Sequence, residues 1–276
     1  MNEPDDDKYE DFVPRVRPDR RGSRPRTKER PAHDDAEPGF VIGVDRGRYR
    51  VVLDDGGPHQ RAVTCTRARE LRRQAIVIGD VVDCVGDTTG EEGSLARIVR
   101  IHPRKTVLRR SGDDTDTMER IIVANADQLL MVVAAASPEP RLRLIDRYVV
   151  AALDAGLTPL MCVTKTDLAS GTELLDYAGA LEIGVVQRSP SNPAVKALNA
   201  LLKGHTTVFV GHSGVGKSTL VNDLVPSGNR AVGHVNEVTG RGRHTSSSSV
   251  ALPLASGGWI IDTPGVRSFG LGHVSP

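Results

Sequence analysis

The order of two short motifs constrains the fold of this chain more than any other feature. The segment Thr164-Lys165-Thr166-Asp167 has the pattern of a guanine-recognition motif, and it precedes the glycine-rich segment Gly211-His212-Ser213-Gly214-Val215-Gly216-Lys217-Ser218. The second segment, residues 211–218, has the pattern of a phosphate-binding loop and is called the phosphate loop below. In an ordinary guanine-nucleotide-binding domain the phosphate loop comes first and the base-reading motif comes last. The order here is rotated, which predicts a circularly permuted domain.

Residues 111–276 alternate between short apolar runs and amphipathic stretches. The predicted strands are 129–136, 159–163, 183–187, 206–210 and 259–261, and the predicted helices are 141–155 and 193–202. Such alternation indicates a mostly parallel sheet covered by helices. The strand at 206–210 runs directly into the phosphate loop, which is the context that this type of loop requires. We therefore expect an α/β P-loop domain here.

Residues 38–110 form a region with a different pattern. Short alternating or apolar runs are separated by turn-forming residues, and the runs are 40–44, 49–53, 61–66, 77–85 and 96–101. Five such strands predict a small all-β barrel of the oligonucleotide-binding (OB) type. Residues 39–110 carry 14 Lys and Arg against 9 Asp and Glu, which fits a surface that contacts RNA phosphates. The alternative is a barrel that only docks on the neighbouring domain.

Residues 1–37 are almost all charged residues and prolines. A segment of this composition cannot bury enough apolar surface to offset its ordering entropy, so we predict a disordered tail. Its function is either to keep the protein in solution or, through its arginines, to serve as a basic arm for nucleic acid.

The cysteines and the hydropathy pattern indicate the compartment. Cys65, Cys84 and Cys162 lie far apart and have no metal-ligand spacing, which is typical of reduced thiols. No apolar run is long enough to span a bilayer, and the acidic start is unlike a signal peptide. We expect a cytoplasmic monomer without membrane association.

The phosphate loop supplies the first set of candidate binding residues. Its glycines allow backbone N–H groups to converge on a β-phosphate, and the helix that begins near Lys217 adds its positive end. We expect Lys217 to bridge the β- and γ-phosphate oxygens, Ser218 to bind Mg²⁺, and Thr219 to belong to the same nucleotide-binding segment. The alternative is a glycine loop with a purely structural role.

A second candidate segment, Asp262-Thr263-Pro264-Gly265, follows the predicted strand 259–261. A carboxylate at the end of a strand holds Mg²⁺ through water, and the N–H of Gly265 reaches the γ-phosphate. This four-residue pattern also makes an ordinary turn. It favours a magnesium site because it lies downstream of the phosphate loop.

Between these two segments lies Gly240-Arg241-Gly242-Arg243-His244-Thr245, followed by a run of serines. The composition is typical of a mobile switch loop in which the Thr245 hydroxyl completes the magnesium shell when a γ-phosphate is present. A disordered Ser/Thr linker is the alternative interpretation.

The segment Thr164–Asp167 is the candidate base-reading motif. The Asp167 carboxylate accepts hydrogen bonds from both the N1 and N2 donors of guanine, which adenine does not offer, and the Lys165 stem packs on the ring. An ATP-using enzyme is disfavoured because this carboxylate suits guanine. The pattern alone is also that of a common surface turn, and the phosphate loop in the same domain gives it its weight.

Taken together, these motifs closely resemble the RsgA (YjeQ) family of circularly permuted GTPases. The resemblance covers about residues 38–272 and includes the permuted order, the phosphate loop, Gly242-Arg243-His244-Thr245 and Asp262-Thr263-Pro264-Gly265-Val266-Arg267. It implies an OB barrel, a permuted GTPase domain and then a small zinc-binding domain. It also implies GTP hydrolysis stimulated by the small (30S) ribosomal subunit, through 16S rRNA and ribosomal proteins, during late maturation.

The sequence departs from the family pattern at three places. Thr164 stands where the family usually has Asn, whose amide braces the phosphate loop, so we expect weaker guanine binding. The switch loop reads His244-Thr245-Ser246 where the family usually has His-Thr-Thr, which leaves two candidate hydroxyls for Mg²⁺. The chain ends at Pro276 without a Cys/His cluster, so either it has been shortened or the zinc domain is missing, and we expect no zinc site.

The sequence also constrains how hydrolysis occurs. A glutamine directly after the Asp-x-x-Gly motif orients the attacking water in Ras-like enzymes, but Val266 occupies that position here. His244 is the best candidate for this role, consistent with the role that the resemblance gives the matching histidine, and a solvated loop histidine is the alternative. The rival to a GTPase is an RNA-binding assembly module that senses guanine nucleotide with negligible hydrolysis.

Overall fold

A computed structural model describes residues 33–71, 74–110, 120–226 and 249–263. Within these ranges the β-strands are β1 (Glu37–Asp45), β2 (Arg48–Leu53), β3 (Arg61–Arg67), β4 (Val81–Gly86), β5 (Ala96–Ile101), β6 (Val107–Arg110), β7 (Arg120–Ala124), β8 (Gln128–Ala134), β9 (Thr158–Thr164), β10 (Gly184–Gln187), β11 (Thr206–Val210), β12 (Val250–Pro253) and β13 (Trp259–Asp262). The α-helices are α1 (Leu142–Asp154), α2 (Thr172–Ala180), α3 (Val195–Leu202) and α4 (Lys217–Leu224).

The first five strands close into a barrel. Strand β1 pairs with β2, β2 with β3, β3 with β5, β5 with β4, and β4 with β1, so the sheet returns to its starting strand. Buried aliphatic side chains such as Val51, Val63 and Ile98 fill the interior. The predicted five-stranded barrel is confirmed.

The fourth barrel strand begins later than the apolar run 77–85 predicted. The fully buried Asp80 carboxylate accepts a hydrogen bond from the Val77 N–H at 2.8 Å and is also bound by the Arg104 guanidinium. Gly79 has a φ of +89° in the same turn. Residues 77–80 are therefore buried because a carboxylate holds them in a turn, and strand pairing with β1 and β5 starts only at Val81 and Val82.

The second part of the chain builds a sheet in which β10, β9, β8, β11 and β13 are parallel neighbours in that order. Strand β8 is buried along its whole length. Its alternate side chains enter two cores, since Met131 packs with α1 and α2 whereas Val132 packs with α3 and α4. This arrangement explains why the β8 sequence is continuously apolar and not alternating.

Helix α1 has one buried face, which explains the amphipathic pattern of its sequence. Four of its buried residues, Ile145, Tyr148, Val149 and Ala152, recur at helical spacing and face β8 and β9. The helix packs onto the sheet directly beside the phosphate loop, which places its first turn at the candidate site.

The barrel and the α/β part share one sheet. Strand β12 pairs with β13 and also with β1, where Gly43 lies opposite Val250, so the sheet has 11 strands. The Phe40 ring of the barrel lies 5.4 Å from the Trp259 ring, measured between centroids. The Trp259 indole N–H donates to the Asp55 carboxylate at 2.8 Å, in the loop between β2 and β3. We call this contact region of Phe40, Asp55 and Trp259 the junction.

Some expectations lie outside the described residues. Residues 1–32 of the predicted tail belong to this group. No described helix combines the length and apolarity needed to cross a membrane.

Candidate nucleotide site

The phosphate loop connects β11 to α4 in a conformation that depends on glycine. Gly214 and Gly216 have φ values of +84° and +94°, which side chains other than glycine rarely adopt. A Cβ on Gly211 would lie 2.6 Å from the carbonyl oxygen of Val132 in β8. The loop therefore passes so close to β8 that only glycine fits at its first position.

A cavity of about 880 Å³ opens above the phosphate loop. The described residues that line it are residues 211–214 and 216–219, Lys165, Arg141 just before α1, and the α1 residues Leu144 and Tyr148. The cavity is within the size range of pockets that bind nucleotide-sized ligands. Glycine backbone, hydroxyl groups and cationic side chains on its wall suit a phosphorylated ligand.

Thr164 joins the base-reading motif to the phosphate loop. Its hydroxyl donates to the Val215 carbonyl oxygen at 2.6 Å, and the Val133 carbonyl lies 3.3 Å from the same oxygen. Thr164 is buried. The Thr164 hydroxyl therefore braces the phosphate loop from the base-reading motif.

The rest of the base-reading motif lies at the carboxyl end of β9. Lys165 has a φ of +57°, and its ammonium group donates to the Ser137 carbonyl. Thr166 donates to the Arg188 carbonyl from its backbone N–H at 3.3 Å and from its hydroxyl at 3.0 Å. The Asp167 side chain is exposed, and Lys165 is the member of the motif that lines the cavity.

Asp262 meets Lys217 at the end of β13. The Lys217 ammonium group contacts the Asp262 carboxylate. Parallel pairing of β11 with β13 sets Phe209 opposite Asp262, and the Thr263 hydroxyl donates to the Phe209 carbonyl at 3.0 Å. Ser218 lines the cavity in the first turn of α4. A carboxylate and a hydroxyl at one end of the site are the hard oxygen donors that fit Mg²⁺.

The structure brings together the base-reading motif, the phosphate loop with Thr219, and Asp262. The remaining predicted site residues, His244, Thr245 and Gly265, lie outside the described residues.

Sequence reasoning missed the contribution of α1 and of the segment after β10. Arg141, Leu144 and Tyr148 line the cavity because α1 follows β8, which lies beside β11. Arg188 forms an ion pair with Asp223 of α4 at 2.7 Å. The amphipathic pattern predicted the helix at 141–155 but not its place beside the cavity, and no local signal pairs residues 188 and 223.

Burial also sets the ionisation of nearby groups. It raises the pKa of the Tyr148 hydroxyl. Burial raises the pKa of the Cys162 thiol in β9 to about 12, although the positive charge of Arg188 opposes the shift. Both groups are therefore neutral at physiological pH, and Cys162 has no thiolate to react.

Comparison with known proteins identifies the family. A family model described as RsgA GTPase matches residues 101–272. The chain belongs to this family. The small ribosomal subunit biogenesis GTPase RsgA of Pseudomonas savastanoi pv. phaseolicola is 41% identical over 244 residues, which cover 86% of this chain and 68% of that protein. The protein of the same name from Pseudomonas aeruginosa (strain LESB58) is 41% identical over 208 residues, or 73% and 59% of the two chains.

Solved structures agree with the family assignment. YjeQ from Thermotoga maritima matches with a TM-score of 0.61 and 26% identity over 83% of this chain and 75% of that chain. YloQ, a circularly permuted GTPase, matches with a TM-score of 0.63 and 22% identity over 89% and 77%. This member of the RsgA family is a GTPase with a circularly permuted fold and an N-terminal five-stranded barrel.

Proposed function

We propose that this GTPase hydrolyses GTP in response to binding the small (30S) ribosomal subunit, and that it acts as a late assembly and maturation factor of that subunit. The observation that carries the proposal is the Thr164 bond to the Val215 carbonyl, which joins the base-reading motif to the phosphate loop beside one cavity. Its relatives named small ribosomal subunit biogenesis GTPase support the partner.

The chain's own groups suit the two ends of a guanine nucleotide. Backbone N–H groups of the phosphate loop and Lys217 bind the phosphates of GTP or GDP. The Asp167 carboxylate selects guanine because adenine would leave it without donors. Thr164, Thr166 and the peptide of Arg188 hold the base-reading motif in place.

Ser218, Asp262 and Thr245 are the residues that would hold Mg²⁺. When bound, Mg²⁺ neutralises charge on the phosphate oxygens. Lys217 then contributes a second positive charge from the phosphate loop, close to the Asp262 carboxylate that it contacts in the structure. We assign no described residue as a zinc ligand.

The residues that we propose position the attacking water lie outside the described residues. The His244 imidazole orients the attacking water, because the Val266 side chain cannot form a hydrogen bond with it. The Gly265 N–H stabilises the γ-phosphate. Contact with 16S rRNA or a ribosomal protein brings the switch loop into place and raises a slow intrinsic rate.

The barrel is the proposed RNA-contacting part. Among the described residues, its exposed arginines include Arg46, Arg48, Arg67, Arg69, Arg97 and Arg100. The only aromatic residues of the barrel are Phe40, which lies in the junction, and the buried Tyr49. Contacts with phosphates are therefore favoured over base stacking, and salt should weaken them. The proposal places the protein in the cytoplasm as a monomer.

Phosphate release under multiple turnover, with and without purified small subunits, tests the proposal. We expect the subunits to raise kcat, and we expect Lys217→Ala to lower kcat/KM by about a hundredfold or more because it removes transition-state charge stabilisation. His244→Ala should lose the stimulation.

Two results would contradict parts of this function. Equal rates with and without subunits would refute the partner. Rates at background in both cases would instead support the RNA-binding module that senses guanine nucleotide. Co-sedimentation with small subunits in GDP and in a non-hydrolysable GTP analogue checks the switch, which requires different binding in the two states.

A further inference from the structure

The backbone of Arg188 holds the base-reading motif. Its N–H donates to the Val163 carbonyl at 2.8 Å, and its carbonyl accepts both the N–H and the hydroxyl of Thr166, at 3.3 and 3.0 Å. These three bonds join the end of β10 to the turn after β9. The position of Arg188 therefore determines the position of Thr166 and of Asp167 next to it.

The side chain of the same residue reaches the phosphate-binding part. The Arg188 guanidinium donates to the Asp223 carboxylate of α4 at 2.7 Å, and the two side chains are 10% and 34% exposed. Helix α4 starts at Lys217, so Asp223 moves with the phosphate loop. The second terminal nitrogen of Arg188, Nη1, is buried and forms no hydrogen bond within the described residues. Asp223 thus supplies the ion-pair partner of a largely buried cation.

We propose that the Arg188–Asp223 ion pair is a positioning tether that sets the spacing between the base-reading motif and the phosphate loop, and thereby the affinity for guanine nucleotides. The inference rests on the proposed function, in which GTP is the ligand. One nucleotide must contact the base-reading motif and the phosphate loop at the same time. A change in the spacing between these segments therefore weakens the contacts to the base or to the phosphates.

The tether acts on binding and not on the chemical step. Loss of the ion pair releases Arg188 and the base-reading motif, whereas the phosphate loop stays packed against β8 at Gly211. We therefore expect Lys217 and Asp262 to keep their positions, and with them the interactions made only in the transition state. Loss of binding that is equal in the ground and transition states raises KM and leaves kcat unchanged. A displaced base-reading motif also loses part of its preference for the guanine N2 amino group, which inosine triphosphate lacks.

The test uses the full chain with Asp223→Asn and Asp223→Glu. We expect Asp223→Asn to raise the KM for GTP and the Kd for GDP about tenfold. A change of this size is within the range of coupling energies measured between contacting residues. Its kcat should stay within about twofold of the wild-type value, and its preference for GTP over inosine triphosphate should fall. Asp223→Glu keeps the carboxylate and should restore most of the affinity.

Glu37→Gln is the matched control. It breaks the partly buried ion pair between Arg61 and Glu37, which lies in the barrel at 2.5 Å. This variant should leave the KM, the Kd and the base preference at wild-type values. Unchanged nucleotide affinity in Asp223→Asn, or an equal loss in Glu37→Gln, would overturn the tether.

Two measures keep the outcome decisive. If Asp223→Asn does not fold, Arg188→Lys is used, since it keeps the charge but loses the planar fork, and an unchanged KM in that variant also overturns the proposal. Wild-type GDP binding and GTP hydrolysis are measured first. Their failure refutes the proposed function, whereas wild-type behaviour of Asp223→Asn refutes only the tether.

Discussion

The hydroxyl of Thr164 links the base-reading motif to the phosphate loop, the two segments that we propose bind opposite ends of a nucleotide. Its 2.6 Å bond to the Val215 carbonyl is buried, so neither group has bulk water as an alternative partner. A hydrogen bond of this kind contributes modestly when present but is costly to remove from one side. The residue therefore influences both stability and the shape of the site.

Replacing Thr164 with valine tests this role. Thr164→Val keeps the side-chain shape but leaves a buried carbonyl without its donor, so we expect the free energy of unfolding to fall by about 1–3 kcal/mol. GDP affinity should fall as well. Urea denaturation and GDP titration measure the two effects.

Thr158→Val is the control, because Thr158 lies exposed at the start of the same strand. Its free energy of unfolding should stay within about 0.5 kcal/mol of the wild-type value. Equal losses in the two variants would show that the Thr164 hydroxyl has no special role.

The sequence predicted candidate residues for the site but not the contacts between them. The phosphate loop was readable because its glycines, lysine and serine form a local pattern after a strand. The Thr164–Val215 bond joins residues that are 51 positions apart, and the Arg188–Asp223 pair is separated by 35. Side-chain pairing over such distances follows from the tertiary fold and leaves no periodic signal in the sequence.

At the level of elements, the phosphate loop depends on its close contact with β8. The Val132 carbonyl that faces Gly211 belongs to a strand hydrogen-bonded to β9 and β11 on its two sides. That carbonyl cannot move aside without disturbing the centre of the sheet. The loop is therefore held by the sheet as well as by its own glycines.

Gly211→Ala tests this contact. The added Cβ would lie 2.6 Å from the Val132 carbonyl oxygen, so we expect a loss of about 1–3 kcal/mol in the free energy of unfolding, as for overpacked sites. GDP binding should be strongly weakened because the loop must shift. Thermal unfolding and GDP titration provide the measurement.

Gly179→Ala is the paired control within α2, where an added Cβ meets no atom within 4 Å. Since alanine favours helix more than glycine by about 1 kcal/mol, this variant should be as stable as the wild-type protein or more so. A stable, nucleotide-binding Gly211→Ala protein would contradict the close-contact interpretation.

Elements with a regular spacing of apolar residues were predicted from the sequence, and elements with a weak spacing pattern were missed. Helix α1 was readable from its regular buried face, whereas α2 buries only Leu174 and Ala178 and was missed. The β6–β7 hairpin was missed because both strands are short and lie on either side of the segment 111–119. Strand β12 owes its position to pairing with β13 and with a barrel strand, which no local pattern indicates.

At the scale of the whole molecule, the barrel and the α/β part meet through main-chain and side-chain contacts. Strand β12 pairs with β1, and Trp259 at the start of β13 bonds to Asp55 and packs on Phe40. Strand β13 ends at Asp262, which contacts Lys217 of the phosphate loop. One strand therefore connects the junction to the nucleotide site.

Asp55→Ala tests the strength of this connection. It removes the acceptor of the Trp259 indole N–H from a partly buried hydrogen bond, so we expect the free energy of unfolding to fall by about 0.5–1.5 kcal/mol. Asp45→Ala removes an exposed carboxylate from the same barrel and should have almost no effect. Urea unfolding compares the two, and equal stability of both variants would show that the indole bond is dispensable.

Trp259 is the single tryptophan of the chain, and it is almost fully buried at the start of β13, where this strand meets the barrel. Its emission is therefore a built-in optical probe of the junction that needs no attached dye. A change in emission when GDP is replaced by a GTP analogue would report that nucleotide state reaches the barrel. The same signal could be followed on the millisecond timescale while RNA is added.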